Sequence, residues 1–395
     1  MKIGIFSDCH LGIRKFRKIY NYQNSYESLT NTVFNEALTI MKNKKVDNLI
    51  IAGDLFDNPN PSIKTIKEAY KLIPFSESLN NNNNNNNNGN DNNSVNGKVF
   101  LLGGNHDWSQ NNEAIGCHAF DLFNDNNNII SAFNEPRIIT TYDNNTNSEV
   151  EITILPYKSL TPENFQKIFK GKLDLKRKKD KEKGIENKRY ILAIHGMIDL
   201  NNEFANDKNN VFYIQKEVAT NYDLVICGHV HIPSYIKTIG TSILTPGSLM
   251  PSNQAINTIS DDKYGNNYSK PSVYIYDSIT NNIETIQLTT SPEVINIITE
   301  DINNTLKAIA DGKYNNNMYF IKYGKSSKDI DEAIYKLACQ NVLNISIQTN
   351  EMSNFYNSED FEESSYNNLI KDFWKFTEKE KPEYIDEFKN ILKGD

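Results

Sequence analysis

Five short stretches concentrate residues that could bind ions or move protons: SDCHLG (7–12), GDLFD (53–57), GGNHDW (103–108), His195-Gly196 and GHVH (228–231). Five of the six histidines fall in them, namely His10, His106, His195, His229 and His231, together with Asp8, Asp54, Asn105 and Asp107. Any one of these histidines is as well explained by ordinary packing, but burying five titratable rings without partners would be costly. Imidazoles, carboxylates and an amide oxygen with no thiolate make a mixed nitrogen and oxygen site. Such a site suits Mn2+, Fe2+ or Zn2+ better than Ca2+, which prefers oxygen alone. The set is larger than one tetrahedral ion needs, so two ions sharing a carboxylate are the economical reading. A pair about 3.5–4 Å apart polarises a phosphoryl group and generates hydroxide from water at neutral pH.

Cys9 lies between Asp8 and His10. In an extended segment side chains alternate, so with residues 8 and 10 facing a crevice, residue 9 faces the core. The same reasoning sends His229 and His231 to one side of their segment. Cys117, Cys227 and Cys339 read as small buried hydrophobes. His118 stands outside the five clusters and reads as ordinary packing or surface.

Apolar runs precede the clusters: KIGIF (2–6), VDNLIIAG (46–53), KVFLLGG (98–104), RYILAIH (189–195) and YDLVICG (222–228), with VEITILP (150–156) as a further example. Each predicts a strand covered on both faces. Between them, residues 25–43 place Leu29, Val33, Phe34, Ala37 and Ile40 at helical spacing, and 62–79 predicts a second helix. Alternating strand and helix predicts an α/β layered domain, in which ligands bind outside the carboxyl ends of the strands. SVYIYD (272–277) and NIETIQL (282–288) alternate as in a hairpin.

The Asn-rich stretch 80–97 cannot bury apolar surface and reads as a disordered insertion. Residues 294–349 read as strand, helix, strand, helix, strand, a small α/β unit of its own. Beyond it, Leu369, Ile370, Phe373, Trp374 and Phe376, then Tyr384, Ile385, Phe388, Ile391 and Leu392, predict two amphipathic helices broken near Pro382.

The net charge of −8 excludes a uniformly basic nucleic-acid coat. Charge is nonetheless uneven: 170–189 carries ten Lys/Arg against four Asp/Glu, and 351–395 carries twelve acidic against six basic residues. Such a basic run is ordinarily a solvated loop, although it could also hold a phosphate backbone. Four scattered cysteines without a CxxC pair, no apolar N-terminal stretch and no run of about 18 apolar residues point to a soluble protein of a reducing compartment, the cytoplasm, or the host cytoplasm if the chain is viral.

In order and placement, DxH, GDxFD, GNHD, a lone His and GHxH resemble the calcineurin-like metallophosphoesterase superfamily. Within it, SDCHLG, GDLFD followed by NPNPS (58–62), and PGSLMP (246–251) after GHVH resemble the SbcD-type DNA double-strand-break nucleases, including their phage relatives. The resemblance implies a layered α/β metallophosphoesterase sandwich over 1–290, a smaller α/β capping and DNA-binding domain at 291–350, and a C-terminal helical partner-binding segment at 351–395. It also implies one Mn2+ held by Asp8, His10, Asp54 and His231 and a second held by Asp54, Asn105, His195 and His229. His106 would then act on the transition state or the leaving oxygen, with Asp107 orienting it. Where some family members have a histidine, this chain has Asp57.

The activity so implied is attack of a metal-bound hydroxide on DNA phosphodiesters, as duplex exonuclease and single-strand endonuclease. The implied partners are DNA and an SbcC-type coiled-coil ATPase, with a homodimer inside a heterotetramer and no membrane. The alternatives are another metallophosphoesterase, such as a phosphoprotein phosphatase or cyclic-nucleotide phosphodiesterase, or a weakly catalytic scaffold that binds DNA ends.

Overall fold

The computed structural model describes residues 1–13, 25–73, 97–108, 120, 123, 128–133, 135–143, 148–157, 180, 182, 188–199, 213–215, 221–238, 240–251, 270–312, 317–340 and 342–349. Cys117, His118, residues 80–96 of the Asn-rich stretch, the end of the helix expected over 62–79, most of the basic run and all of 351–395 lie outside the described residues. The chain divides into two compact units, Met1–Val294 with Asn316–Met318, and Ile295–Asn315 with Tyr319–Asp395.

Two six-stranded sheets build the first unit. One contains β1 (Lys2–Phe6), β2 (Asn48–Ile51), β3 (Val99–Leu102), β4 (Ile129–Ala132), β13 (Ser272–Asp277) and β14 (Asn282–Gln287). Its order is β14-β13-β1-β2-β3-β4, with β1 to β4 parallel and the β13/β14 hairpin antiparallel at one edge. The other contains β5 (Arg137–Asp143), β6 (Ser148–Leu155), β7 (Lys188–His195), β10 (Leu224–Gly228), β11 (Ser234–Lys237) and β12 (Ser242–Thr245). Its order is β11-β12-β10-β7-β6-β5, parallel from β12 to β6 and antiparallel at both edges. A pair of three-residue strands, β8 (Met197–Asp199) and β9 (Tyr213–Gln215), lies apart from both.

The sheets face each other across one core. Ile3, Ile5, Ile50 and Phe100 from the first meet Ile152, Ile191, Ile226 and Leu244 from the second, all fully or almost fully buried. The alternate residues of the same strands point outward. On the first sheet they are covered by helix α1 (Ser25–Asn43), whose Val33, Phe34, Ala37, Leu38 and Met41 are buried on one face. The Phe6 and Phe34 rings meet edge to face at 6.0 Å. On the second sheet, Leu192, Ile194, Val225 and Cys227 form a separate cluster with Tyr222. The central parallel strands, such as β1, β2, β3 and β10, are buried on both faces, which is why their sequences read as continuous apolar runs.

Helix α2 (Ile63–Leu72) follows the GDLFD stretch, and the Ser62 side chain caps it by accepting from the Thr65 N–H. The second unit is a three-stranded sheet of order β15-β16-β17, made of β15 (Val294–Thr299), β16 (Met318–Tyr323) and β17 (Asn344–Thr349). Among the described residues its α-helices are α3 (Ile302–Ala310) and α4 (Glu332–Gln340), in the alternation read from the sequence. Asp301 caps α3 by accepting from the Asn304 N–H. No helix among the described residues is long and apolar enough to cross a membrane.

Candidate metal centre

All five clusters follow the carboxyl ends of parallel strands: β1, β2 and β3 in one sheet, β7 and β10 in the other. After β1 and β2 the two chains stay laced together. Asp8 N donates to Gly53 O at 3.0 Å, His10 N to Asp54 O at 3.0 Å, Leu11 N to Leu55 O at 2.9 Å, and Asp57 N back to Leu11 O at 3.1 Å. Extended backbone was expected through Asp8 and His10, and the structure corrects this. Asp8 (φ 51°), His10 (φ 48°) and Asp54 (φ 49°) are left-handed, as is His229 (φ 86°). Each costs on the order of 1 kcal/mol and persists because the neighbouring strand's carbonyls hold the turn. Cys9 is buried, 1% exposed, but through this kinked path rather than through strand alternation.

The turns bring the side chains into two groups that share Asp54. In the first, Asp8, His10, Asp54 and His231 place one potential ligand atom each within 4.8 Å of one another. His10 Nε2 and His231 Nε2 are 3.0 Å apart, His10 Nε2 is 3.9 Å from Asp54 Oδ2, and His231 Nε2 is 3.7 Å from Asp8 Oδ1. In the second, Asn105 Oδ1 lies 3.0 Å from His195 Nε2 and 2.9 Å from His229 Nδ1, while His195 Nε2 is 3.2 Å from Asp54 Oδ2. His229 and His231 therefore face different groups despite being two residues apart.

Backbone donors aim the carboxylates. The His229 N–H reaches both oxygens of Asp8 at 3.1 Å, and Ser7 Oγ donates to Asp8 Oδ2 at 2.5 Å. His106 N donates to Asp54 Oδ1 at 2.9 Å, which leaves Oδ2, buried and accepting no hydrogen bond, turned toward the histidines. Two glycines permit this closeness. A Cβ on Gly104 would stand 2.1 Å from Asp54 Oδ1, and one on Gly228 1.9 Å from the Ala52 carbonyl oxygen.

The donor set fits a cation. His195 Nδ1 donates to the Ala52 carbonyl at 2.9 Å, so a neutral ring presents the Nε2 lone pair to two oxygens, Asp54 Oδ2 and Asn105 Oδ1. Lone pairs facing one another at these distances need a positive charge between them. Electrostatics reflect that need. Burial alone would lower the His195 pKa, but the charge of the Asp54 carboxylate beside it lifts it to about 9. Asp54 in turn is held well below the usual carboxylate range, with His195 and His10 overriding its burial. Burial and the His195 charge push His229 down to about 4, so its ring is neutral and its nitrogen free to ligate. Asp8 is raised, chiefly by burial. Asp8, His10, Asp54 and His231 would hold one divalent ion and Asp54, Asn105, His195 and His229 another. When bound, such ions polarise a phosphoryl group and acidify water.

The two residues read as catalytic part company. His106 is half-buried beside the first group, its ring centroid 4.7 Å from that of His10, and its Nδ1 is paired with the Asp57 carbonyl at 2.8 Å. Of its two nitrogens, only Nε2 could then exchange a proton with a bound ligand. Asp107 was expected to orient His106 and does not touch its ring. Its carboxylate is fully buried and accepts from the backbone N–H groups of Phe56 (2.9 Å), Gly104 (2.9 Å) and Leu55 (3.3 Å). It is a brace between the GDLFD and GGNHD turns, and burial together with the Asp54 charge raises it to about 7. The orienting role passes to the main chain of Asp57, for which a backbone carbonyl leaves no sequence signal.

A family model described as calcineurin-like phosphoesterase matches residues 1–233, more than half of the 395-residue chain. The chain belongs to the calcineurin-like phosphoesterase family. As a member it is a metal-dependent hydrolase of phosphate esters, and the paired groups around Asp54 are its candidate site for divalent metal. This phosphoesterase is similar to solved structures at low identity. One is a novel archaeal phosphodiesterase (16% identity, TM-score 0.31, 72% of this chain and 99% of that one). Another is a dimetal phosphatase from Danio rerio (10%, TM-score 0.36, 73% and 99%). A third is a putative 5'-nucleotidase from Staphylococcus aureus (12%, TM-score 0.37, 72% and 52%).

Proposed function

We propose that this phosphoesterase is a Mn2+-dependent DNA nuclease of the SbcD type, a duplex exonuclease and single-strand endonuclease. It acts in DNA repair and recombination with an SbcC-type ATPase, as a homodimer within a heterotetramer in the cytoplasm. The observation that carries the reading is the convergence of Asp8, His10, Asp54, Asn105, His195, His229 and His231 around one shared carboxylate, with His106 beside them, in a chain whose turns carry the SbcD-type HLG and PGS segments. A strand-helix-strand-helix-strand unit that follows the phosphoesterase motifs in the chain, as the family's capping domain does in sequence order, supports it.

In this reading the chain's own groups do three things. The carboxylates and imidazoles hold the ions, with Asp54 common to both. His106, set by the Asp57 carbonyl, offers Nε2 to the leaving oxygen or to the charge that builds on the phosphoryl group. Asp107 keeps the two turns in register.

The test is hydrolysis of linear duplex DNA with Mn2+ by the purified full chain. Degradation that disappears in Asp54→Ala and His106→Ala supports the reading. Preferential hydrolysis of a phosphoprotein or a cyclic nucleotide overturns it, as does metal binding with no action on any DNA in the presence of the partner ATPase.

A further inference from the structure

Asp57 closes the GDLFD turn and has no place among the ligands or proton donors described above. Its side chain is 18% exposed, and its carboxylate makes a single contact among the described residues: Oδ1 stands 3.4 Å from His10 Nδ1. His10 Nδ1 is buried and has no hydrogen-bond partner of good geometry. The other ring nitrogen, Nε2, is the one turned toward His231 and Asp54. A histidine that ligates through Nε2 must carry its proton on Nδ1, and a carboxylate beside that proton fixes the tautomer, the ring plane and the basicity of the ligating nitrogen. The main chain of the same residue accepts from His106 Nδ1 at 2.8 Å. One residue thus stands behind two histidines, one through its side chain and the other through its backbone.

We infer that the Asp57 carboxylate is a positioning residue for His10. It holds the Nδ1–H tautomer so that Nε2 faces the group formed by Asp8, Asp54 and His231, while its backbone carbonyl independently orients His106. The inference rests on the reading of that group as a metal site and needs no assumption about the substrate. A direct ligand role is the competing possibility, because atoms of His10, Asp57 and His106 also lie within 4.8 Å of one another. That trio is poorly equipped to hold an ion. It contains a single carboxylate, which would balance only half the charge of a divalent ion.

The experiment is calorimetric titration of Mn2+ into the chelator-treated full chain, with thermal unfolding in chelator alongside, for wild type, Asp57→Asn and Asp57→Ala. Both variants keep the backbone carbonyl that holds His106. Wild type is expected to bind two ions. Asp57→Ala should weaken one of them by about 10–100-fold and leave the other and the chelator melting temperature unchanged. Asp57→Asn, which retains an acceptor oxygen without its charge, should lie between. Equal affinities in wild type and Asp57→Ala overturn the inference. Equal weakening of both ions with a lowered melting temperature also overturns it, since that reports a structural role. Loss of an entire third ion would make Asp57 a ligand. A wild-type chain that binds no Mn2+ overturns the metal reading itself, and is told apart from failure of the Asp57 role because the variants are then not needed.

Discussion

His195 Nε2 lies 3.2 Å from Asp54 Oδ2 while its Nδ1 is committed to the Ala52 carbonyl, so the only atom the ring can offer the site is a lone pair or a proton. With the His195 pKa lifted to about 9, a metal ion must displace that proton below pH 9. Affinity at this position should therefore rise with pH, about tenfold per unit, and level off above about 9. Calorimetry in buffers of different ionisation enthalpy should find about one proton released from His195 when the ion of this group binds at pH 7. The metal-free protein runs the other way. A raised histidine pKa stabilises the fold fully below its unfolded value of about 6.5, and that contribution is lost as pH climbs through about 9. Chelator-treated protein should thus lose stability over this window while metal affinity grows.

Asp54 is the one side chain common to both groups. Asp54→Ala should weaken both ions together, and turnover should fall by more than about 100-fold, the upper range for residues that only support a ligand. Metal titration distinguishes this from Asn105→Ala, which should weaken one ion and spare the other.

His106 touches the site without belonging to either ligand group, and its Nδ1 is held by a backbone carbonyl. His106→Ala should leave Mn2+ binding within a few fold of wild type and lower turnover by about 10²–10⁴-fold. A matching loss of metal affinity would show that His106 is a ligand.

Asp107 braces two turns by accepting three backbone N–H groups in a fully buried position. Asp107→Ala should cost about 3 kcal/mol or more, at about 1 for each orphaned donor, read by urea unfolding in chelator. Asp107→Asn retains one acceptor oxygen and should cost less. Equal stability of Asp107→Ala and wild type would remove the brace.

Gly228 ends β10 against the Ala52 carbonyl that fixes His195. Gly228→Ala would place a methyl 1.9 Å from that oxygen. The expected result is about 1–3 kcal/mol of destabilisation, with weaker metal binding because the His195 ring loses its anchor. Unchanged melting and unchanged titration together would refute the packing argument.

The candidate residues for meeting a cation and the strands that carry them could be read in the chain because residue type and strand pattern are both local properties. A fully buried parallel strand must be apolar throughout, so KIGIF, the NLII of β2, VFLL, the ILAIH end of β7 and LVICG announce themselves, and the polar residues after them stand out by contrast. The Val33 to Met41 face of α1 and the second unit's alternating elements are legible by the same logic of period. What decided the chemistry was not local. The left-handed turns at Asp8, His10, Asp54 and His229 are held by hydrogen bonds between turns some 45 residues or more apart in the chain, where extended backbone was the natural expectation. The true partner of His106 is a main-chain carbonyl, and every residue has one, so no residue type marks it. Asp107 exchanged its expected role beside His106 for a brace, because three buried N–H groups closer to its carboxylate had to be satisfied. Residue types and their order set which atoms could meet a cation. Only the packing of the two sheets set which nitrogen of each ring faces it, since tautomer and orientation depend on the group behind the ring, and that group comes from elsewhere in the chain.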